Sequence, residues 1–180
     1  MAHKVPPRVV PSRDEYYMGL TFWIASKSKD PNTQCGSIIV NKDNFILSTG
    51  YNGPPALVPD NEINWTRDRE IEFNKYTWVK HSEDNAIDHA PYWPLPDTTI
   101  YVTGFPCNDC MRDITAAKIS KVVYFPKKLS DSASMTSDDS IFRKTKEIAR
   151  MGRVELVEFK GNLNWMRDRI AWMELKGVFD

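Results

Sequence analysis

Residues 81–110 read HSEDNAIDHAPYWPLPDTTIYVTGFPCNDC, and this stretch contains the clearest fold signals in the chain. Its apolar spacing predicts alternating helices and strands that continue just beyond it, over 82–89, 98–103, 107–118 and 121–125. Strand, helix and strand in that order, with a short connection, indicate a parallel β-α-β unit. The stretch therefore predicts an α/β fold.

Two short motifs at the ends of this stretch carry potential metal ligands. The first, HSE, begins with His81, and the second, PCNDC, contains Cys107 and Cys110. Imidazole nitrogen and thiolate sulfur are good zinc ligands, and three protein ligands leave the fourth position of a catalytic zinc site open for water. Glu83 would then lie beside the metal as a general acid and base, not as a fourth ligand.

The order of the two motifs is more specific than either motif alone. A lone C-x-x-C also occurs in redox pairs, and a His/Cys group also occurs in purely structural zinc sites. Joined as H-x-E…P-C-x-x-C, with Pro106 directly before the first cysteine, they match the pattern of zinc-dependent nucleobase deaminases. Both motifs stand at predicted helix starts, where the helix dipole favours thiolate over thiol. A catalytically inactive deaminase-like module is an alternative.

The rest of the chain predicts further helices and strands around the parallel unit. Ser12 and Glu15 have capping-box spacing, which predicts a helix from residue 12 to about residue 28, before Pro31. Downstream we expect a β-hairpin, a helix, a strand and a final helix, over 36–49, 141–151, 154–159 and 163–175. The hairpin, the parallel pair and the last strand together predict a central mixed five-stranded sheet.

The length suits one domain over residues 1–180. Residues 1–12, with three prolines, are interpreted as an N-terminal arm, and the polar run 130–140 as a mobile loop. Residues 160–177 are interpreted as a C-terminal helical segment. Its aromatic and methionine residues are typical of core packing or of an oligomer contact.

Residues 56–79 form a polar insertion in which 66–73 predicts a short helix. One interpretation is a solvated helix on the rim of the domain. The other is a lid or subunit contact that carries Trp65 and Trp78.

Composition narrows the class of protein. The 24 basic and 24 acidic residues cancel, which argues against a polynucleotide as the main partner. The N-terminus lacks the apolar region of a signal peptide, and no apolar run is long enough for a membrane span. Three cysteines, of which Cys35 is expected to be buried, form no disulfide framework. We therefore expect a cytoplasmic protein that does not act at a membrane.

Several motifs together resemble the deoxycytidylate (dCMP) deaminases of the zinc-dependent cytidine deaminase superfamily. The resemblance covers roughly residues 14–159. Its motifs are YYMGLTFWIASKSKDPNTQCGSIIVN, GYNGPP, HSEDNAI and FPCNDC. It implies a cytidine-deaminase-like three-layer α/β/α sandwich, often assembled as hexamers, with dCTP and dTTP as possible effectors.

The resemblance also implies roles for particular residues. His81, Cys107 and Cys110 would bind Zn²⁺, and Glu83 would move protons. The substrate contacts implied or suggested by the matching motifs are Ser26, Ser28, Lys29, Asn52, Ser82 and Pro106. Among these, Asn52 would hydrogen-bond the nucleotide, and the serines and lysine of SKSKDP would contact its phosphate.

The working hypothesis is hydrolytic deamination of dCMP to dUMP and ammonia by a homo-oligomer. The chain departs from the family pattern where Ser82 replaces the usual alanine, where Asp84 adds a second acid, and in the 56–79 insertion. Because that insertion resembles deaminase-like proteins that are thought to take dCTP, dCTP or a 5-substituted dCMP is the alternative substrate. Deamination of a base within RNA or DNA and nucleotide binding without turnover are the less favoured alternatives.

Overall fold

The computed structural model describes residues 10–126 and 139–179. Most of the N-terminal arm and most of the 130–140 loop therefore lie outside the described residues. The helices are α1 (Arg13–Ala25), α2 (Lys75–Trp78), α3 (Ser82–Asp88), α4 (Asn108–Ala116), α5 (Asp139–Gly152) and α6 (Asn164–Leu175). The strands are β1 (Gly36–Asn41), β2 (Ile46–Tyr51), β3 (Thr98–Val102), β4 (Lys121–Tyr124) and β5 (Glu155–Glu158).

The five strands form one mixed sheet in the order β2-β1-β3-β4-β5. β1 pairs antiparallel with both β2 and β3, so that Ile38 lies opposite Thr49 on one side and Tyr101 on the other. β3, β4 and β5 are parallel, with Ile100 opposite Val122. The predicted hairpin, the parallel β-α-β unit and the mixed five-stranded sheet are all confirmed.

The sheet separates two apolar clusters, which confirms the three-layer α/β/α arrangement. Alternate residues of a strand point to opposite faces, so Ile39 and its neighbour Ile38 enter different clusters. On one face Ile39 and Ile100 pack with residues of α3, α4 and α5, and on the other Ile38 packs with residues of α1. The metal motifs belong to α3 and α4, on the first of these faces.

α1 begins with the predicted capping box. Ser12 N donates to Glu15 Oε2 at 2.9 Å, and Glu15 N donates to Ser12 Oγ at 3.3 Å. The same glutamate accepts a hydrogen bond from Asn162 N at 3.0 Å, and its carbonyl accepts one from Trp165 Nε1 at 3.2 Å. Glu15 therefore joins the start of α1 to the start of α6.

Two glycines allow helices to touch the sheet backbone. A Cβ on Gly36 would lie 2.2 Å from Thr21 O in α1. A Cβ on Gly50 would lie 2.2 Å from Ser82 O and 2.3 Å from Ala86 N in α3. The helix that begins at the histidine motif is therefore seated directly on β2.

The prediction of a helix over 66–73 is wrong. Those residues form turns, because polar side chains bond to the backbone two residues ahead and compete with helix formation. Asn64 Oδ1 accepts from Thr66 N at 3.1 Å, Thr66 Oγ1 from Asp68 N at 3.2 Å, and Asp68 Oδ1 from Glu70 N at 3.0 Å. The insertion instead contains a 3-10 turn at Asp60–Glu62 and the short α2.

The predicted C-terminal helix is present but contains no buried residue. Its Trp165 occupies space left by Gly19, where a Cβ would lie 2.5 Å from the indole ring. Further along, Trp172 is 44% exposed and Leu175 is 86% exposed. Within the described ranges, no helix has the length and apolar character needed to cross a bilayer.

Candidate active site and metal centre

His81 and Cys107 occupy equivalent places at the starts of two helices. His81 is the N-cap of α3 and Cys107 is the N-cap of α4. Cys107 Sγ accepts from Cys110 N at 3.4 Å, so the thiol takes the place of the usual capping oxygen. The first turn of α4 therefore brings both cysteines to the side that faces α3.

The three predicted ligands are close together in space. His81 Nδ1 lies 3.1 Å from Cys110 Sγ and 3.6 Å from Cys107 Sγ, and the two sulfurs lie 3.5 Å apart. With bonds of about 2.3 Å to sulfur and 2.0–2.1 Å to nitrogen, ligand atoms of a tetrahedral zinc site lie roughly 3.5–3.8 Å apart. The donor types and the 3.5 and 3.6 Å spacings therefore fit a zinc ion held by three protein ligands, and the 3.1 Å pair would have to separate by about 0.4 Å.

Hydrogen bonds among the ligands set their protonation states. Hydrogen bonds with Cys110 and with the His81 ring lower the pKa of Cys107 to about 4. The hydrogen bond with Cys107 raises the pKa of His81 to about 9. The pKa of Cys110 is raised, first by its hydrogen bond to Cys107 and then by burial. At neutral pH the group therefore holds one thiolate and two protons that a metal would displace.

Glu83 is buried in the first turn of α3 and receives a hydrogen bond from its neighbour. Ser82 Oγ donates to Glu83 Oε2 at 2.9 Å, and Ser82 Oγ and Ser37 Oγ in β1 are 2.8 Å apart. Ser82 is only 2% exposed, so its hydroxyl contacts the carboxylate and the sheet. Burial, followed by the charge of Glu83, raises the pKa of Asp84 to about 6.

Asn52 lies in the loop after β2, and its side chain is enclosed. Its Nδ2 donates to Asp30 Oδ2 at 3.3 Å and to Thr33 O at 2.9 Å, while its Oδ1 accepts from Cys35 N at 2.7 Å. Both amide protons are therefore used, and one lone pair of Oδ1 is left.

Burial, followed by the charge of Glu83, raises the pKa of the Cys35 thiol to about 12, so this cysteine is an unreactive thiol at neutral pH.

The SKSKDP residues differ in their exposure. Ser28 is buried, and its Oγ donates to Asn52 O at 2.8 Å. Ser26 is exposed, with its Oγ donating to Trp23 O at 2.6 Å, and the exposed Lys29 pairs with Asp60 of the insertion. Pro106 is buried, and its carbonyl accepts from Thr145 Oγ1 at 3.4 Å.

A buried ion pair next to Asn52 was missed by the sequence reasoning. Lys75 of the insertion donates to Asp30 Oδ2 at 2.5 Å, with side-chain exposures of 8% and 0%. A lysine in a polar insertion usually lies in solvent, so no local signal distinguished this one. The two residues are 45 positions apart, and only the fold brings them together.

The three-layer fold with a His/Cys/Cys group and a buried carboxylate two residues after the histidine defines a zinc-binding deaminase. The family described as "Cytidine and deoxycytidylate deaminase zinc-binding region" matches residues 11–126, and the chain belongs to this family. The protein is therefore a deaminase, and thus a hydrolase.

Named relatives and a solved structure agree with this assignment. The chain is 39% identical to human deoxycytidylate deaminase over 71% of its own length and 72% of the relative. It is 38% identical to the mouse deoxycytidylate deaminase, over 72% of this chain and 73% of that protein. The fold resembles the crystal structure of the dCMP deaminase of cyanophage S-TIM5, solved with dCMP and dUMP. That likeness has a TM-score of 0.62 at 23% identity and covers 84% of this chain and 100% of the other.

Proposed function

We propose that this protein hydrolyses dCMP to dUMP and ammonia. The observation that carries the proposal is the group of three metal-ligand atoms, all within 4.8 Å of one another, with buried Glu83 two residues after His81. The substrate is supported by the relatives named deoxycytidylate deaminase, of which the human and mouse proteins match the chain over more than two thirds of both lengths.

His81 Nδ1, Cys107 Sγ and Cys110 Sγ would hold the zinc ion. Three protein ligands are the number found in catalytic zinc sites, which keep one coordination position for water or substrate. When bound, zinc supplies a Lewis acid that makes water a nucleophile at neutral pH. The residues around it then have to orient that water and move its protons.

Glu83 is the residue proposed to move the protons. Its Oε2 accepts from Ser82 Oγ, which leaves Oε1 to take a proton from the water that attacks C4 of cytosine. The same oxygen delivers that proton to ring N3, then takes a second proton from the new C4 hydroxyl and gives it to the amino group, so that the C4–N bond breaks and water and dCMP become dUMP and ammonia. Ser82 orients the carboxylate through this hydrogen bond. Because Ser82 is only 2% exposed, this role is better supported than a contact of its hydroxyl with the nucleotide.

The remaining proposed substrate contacts come from the loops around Asn52. The free lone pair of Asn52 Oδ1 can accept a hydrogen bond from a hydroxyl or amino group of the nucleotide. Ser26 and Lys29 are exposed and would contact the phosphate, for which Lys29 has to leave Asp60. Ser28 and Pro106 are buried and would instead maintain the conformation of their loops. Ammonium and hydroxyl donors suit an anionic phosphate.

A substrate panel tests the proposal. Zinc-loaded wild-type protein should release ammonia from dCMP faster than from CMP, dCTP or 5-methyl-dCMP, and should leave cytosine in single-stranded DNA and RNA unchanged. If the protein prefers dCTP or 5-methyl-dCMP, that nucleotide is its substrate in place of dCMP. No turnover of any free cytosine nucleotide, with zinc bound, would refute nucleotide deamination.

We also propose that residues 1–180 form a single deaminase domain that assembles as a homo-oligomer, as in the hexamers of similar deaminases, with dCTP and dTTP as effectors. The single sheet supports one domain, and exposed Trp172, Leu175 and Phe179 support an assembly surface. Three free cysteines, two of which would be needed as metal ligands, support a reducing compartment such as the cytoplasm. Light scattering measures the assembly, and activity with added dCTP or dTTP tests regulation.

A further inference from the structure

The side chains of the Lys75–Asp30 ion pair are 8% and 0% exposed, so both charges lie away from water. Removing two charges from water costs several kcal/mol per ion, and packed apolar residues of similar volume are often at least as stabilising. Lys75 comes from the insertion and Asp30 from the loop between α1 and β1. The pair therefore joins the start of α2 to that loop at a cost in solvation free energy.

Asp30 organises the residues around it through both carboxylate oxygens. Oδ1 accepts from the backbone N–H groups of Asn32 at 2.8 Å and Thr33 at 3.2 Å. Oδ2 accepts from Lys75 Nζ at 2.5 Å and from Asn52 Nδ2 at 3.3 Å. The ammonium group and the Asn52 amide therefore share one oxygen, and the two shorter bonds of the Asn52 side chain go to Thr33 and Cys35, in the loop that Asp30 also holds.

The residue directly after the insertion also holds the Asn52 loop through its backbone. Gly53 N donates to Lys80 O at 3.2 Å, and Lys80 N donates to Gly53 O at 3.0 Å. The insertion thus reaches this loop through a side-chain network that begins at Lys75, and Lys80, directly after the insertion, adds a short antiparallel bridge. The first of these contacts reaches the Asn52 side chain itself.

We propose that Lys75 is a positioning residue for nucleotide binding, which acts through Asp30 to fix the Asn52 amide and the loop that carries it. This inference rests on the proposed function, because it uses Asn52 as a nucleotide contact. It assigns the 56–79 insertion a direct part in building the binding site. Of the two ion pairs that join the insertion to the rest of the described residues, Lys75–Asp30 is buried beside Asn52 and Asp60–Lys29 lies nearer the surface.

The kinetic signature of this role differs from that of a structural role. Asn52 would contact the nucleotide equally in the ground state and in the transition state, so a misplaced amide should raise KM and leave kcat nearly unchanged. A merely structural ion pair would lower the amount of folded, zinc-loaded protein and leave the KM of the remaining active sites unchanged. Rates are therefore normalised to bound zinc.

The test uses the full-length zinc-loaded chain with Lys75→Met, which removes the ammonium and keeps an unbranched side chain. A second variant, Asp30→Asn with Lys75→Met, removes both charges and is used if the uncompensated Asp30 carboxylate prevents folding. The matched control, Lys121→Met with Glu155→Gln, also removes a lysine ion pair, but one that lies between β4 and β5 and not at the Asn52 loop.

Both Lys75 variants should raise the KM for dCMP by about tenfold or more while kcat per zinc stays within about threefold, and the control should keep both constants within about twofold. A folded Lys75 variant with KM within about twofold of wild type would overturn the inference, as would a fall in kcat with KM unchanged. Absence of dCMP turnover in the wild type would refute the proposed function instead. These results therefore distinguish a failure of the inference about Lys75 from a failure of the proposed function.

Discussion

Replacement of Ser82 by alanine tests how the proton-carrying carboxylate is held. The change removes the 2.9 Å hydrogen bond from Ser82 Oγ to Glu83 Oε2 and leaves Ser37 Oγ without its 2.8 Å partner. A hydrogen bond to a charged group is worth about 1.5–3 kcal/mol. Packing still confines the buried carboxylate, so we take the lower end, about 1.5 kcal/mol, which corresponds to roughly a tenfold loss of rate.

We expect this loss in kcat, because the orientation of Glu83 matters most when protons move. The assay follows the ultraviolet change on deamination of dCMP, with zinc content measured on the same samples. Ser48→Ala is the matched control, because the Ser48 hydroxyl is also buried and donates to Ala86 O of the same helix at 2.7 Å. It should lose similar stability and keep the wild-type kcat.

Two outcomes would contradict this reasoning. If Ser82→Ala keeps kcat within about twofold of wild type with full zinc, the hydrogen bond does not orient the acid–base group. If the serine variant and the Ser48 control lose kcat equally, the effect comes from general loosening of α3.

The other predictions concern the carboxylate, the helix seat and the metal ligands. Glu83→Ala should lower kcat by about 10²–10⁴-fold and retain zinc, measured by ammonia release and metal analysis; full activity would exclude it as the acid–base group. Gly50→Ala should destabilise the fold by about 3 kcal/mol, because overpacking usually costs 1–3 kcal/mol and here the contact is with backbone; an unchanged urea midpoint would contradict the close packing. Zinc binding at pH 7.5 should release two protons, one from Cys110 and one from His81. The pKa of Cys110 is raised and that of His81 is about 9, so both groups carry a proton at this pH. The pKa of Cys107 is about 4, so this residue is already a thiolate. Affinity should therefore fall as the pH falls, and titration calorimetry in buffers of different ionisation enthalpy counts the protons; a count of zero would contradict these protonation states.

The sheet and the metal motifs were predictable because their signals are local. Strand composition and helix caps depend on neighbouring residues. The capping box of Ser12 and Glu15, for example, predicts the observed start of α1. His81, Cys107 and Cys110 were predictable as a group because ligand chemistry is restrictive and because helix starts face the same side of a parallel unit. The order of the two motifs then distinguished a deaminase site from a redox pair or a structural zinc site.

The insertion was predicted least well, for two physical reasons. Its apparent helix over 66–73 fails because Asn64, Thr66 and Asp68 bond to nearby backbone groups, which sequence patterns do not weigh against helix propensity. Its buried Lys75 depends on a partner far away in the chain. Interactions of this second kind become visible only when the three-dimensional structure is known.

Gly36 and Gly50 have a consequence for how the chain would respond to random mutation. In a library of all single substitutions selected for deaminase activity, both positions should accept almost no change, as strictly as a metal ligand does. A parallel readout of protein abundance would separate the two groups, because glycine variants should disappear from the folded pool while variants of an acid–base residue persist there. Residues that never touch the nucleotide would thus look catalytic in one screen and purely architectural in the other.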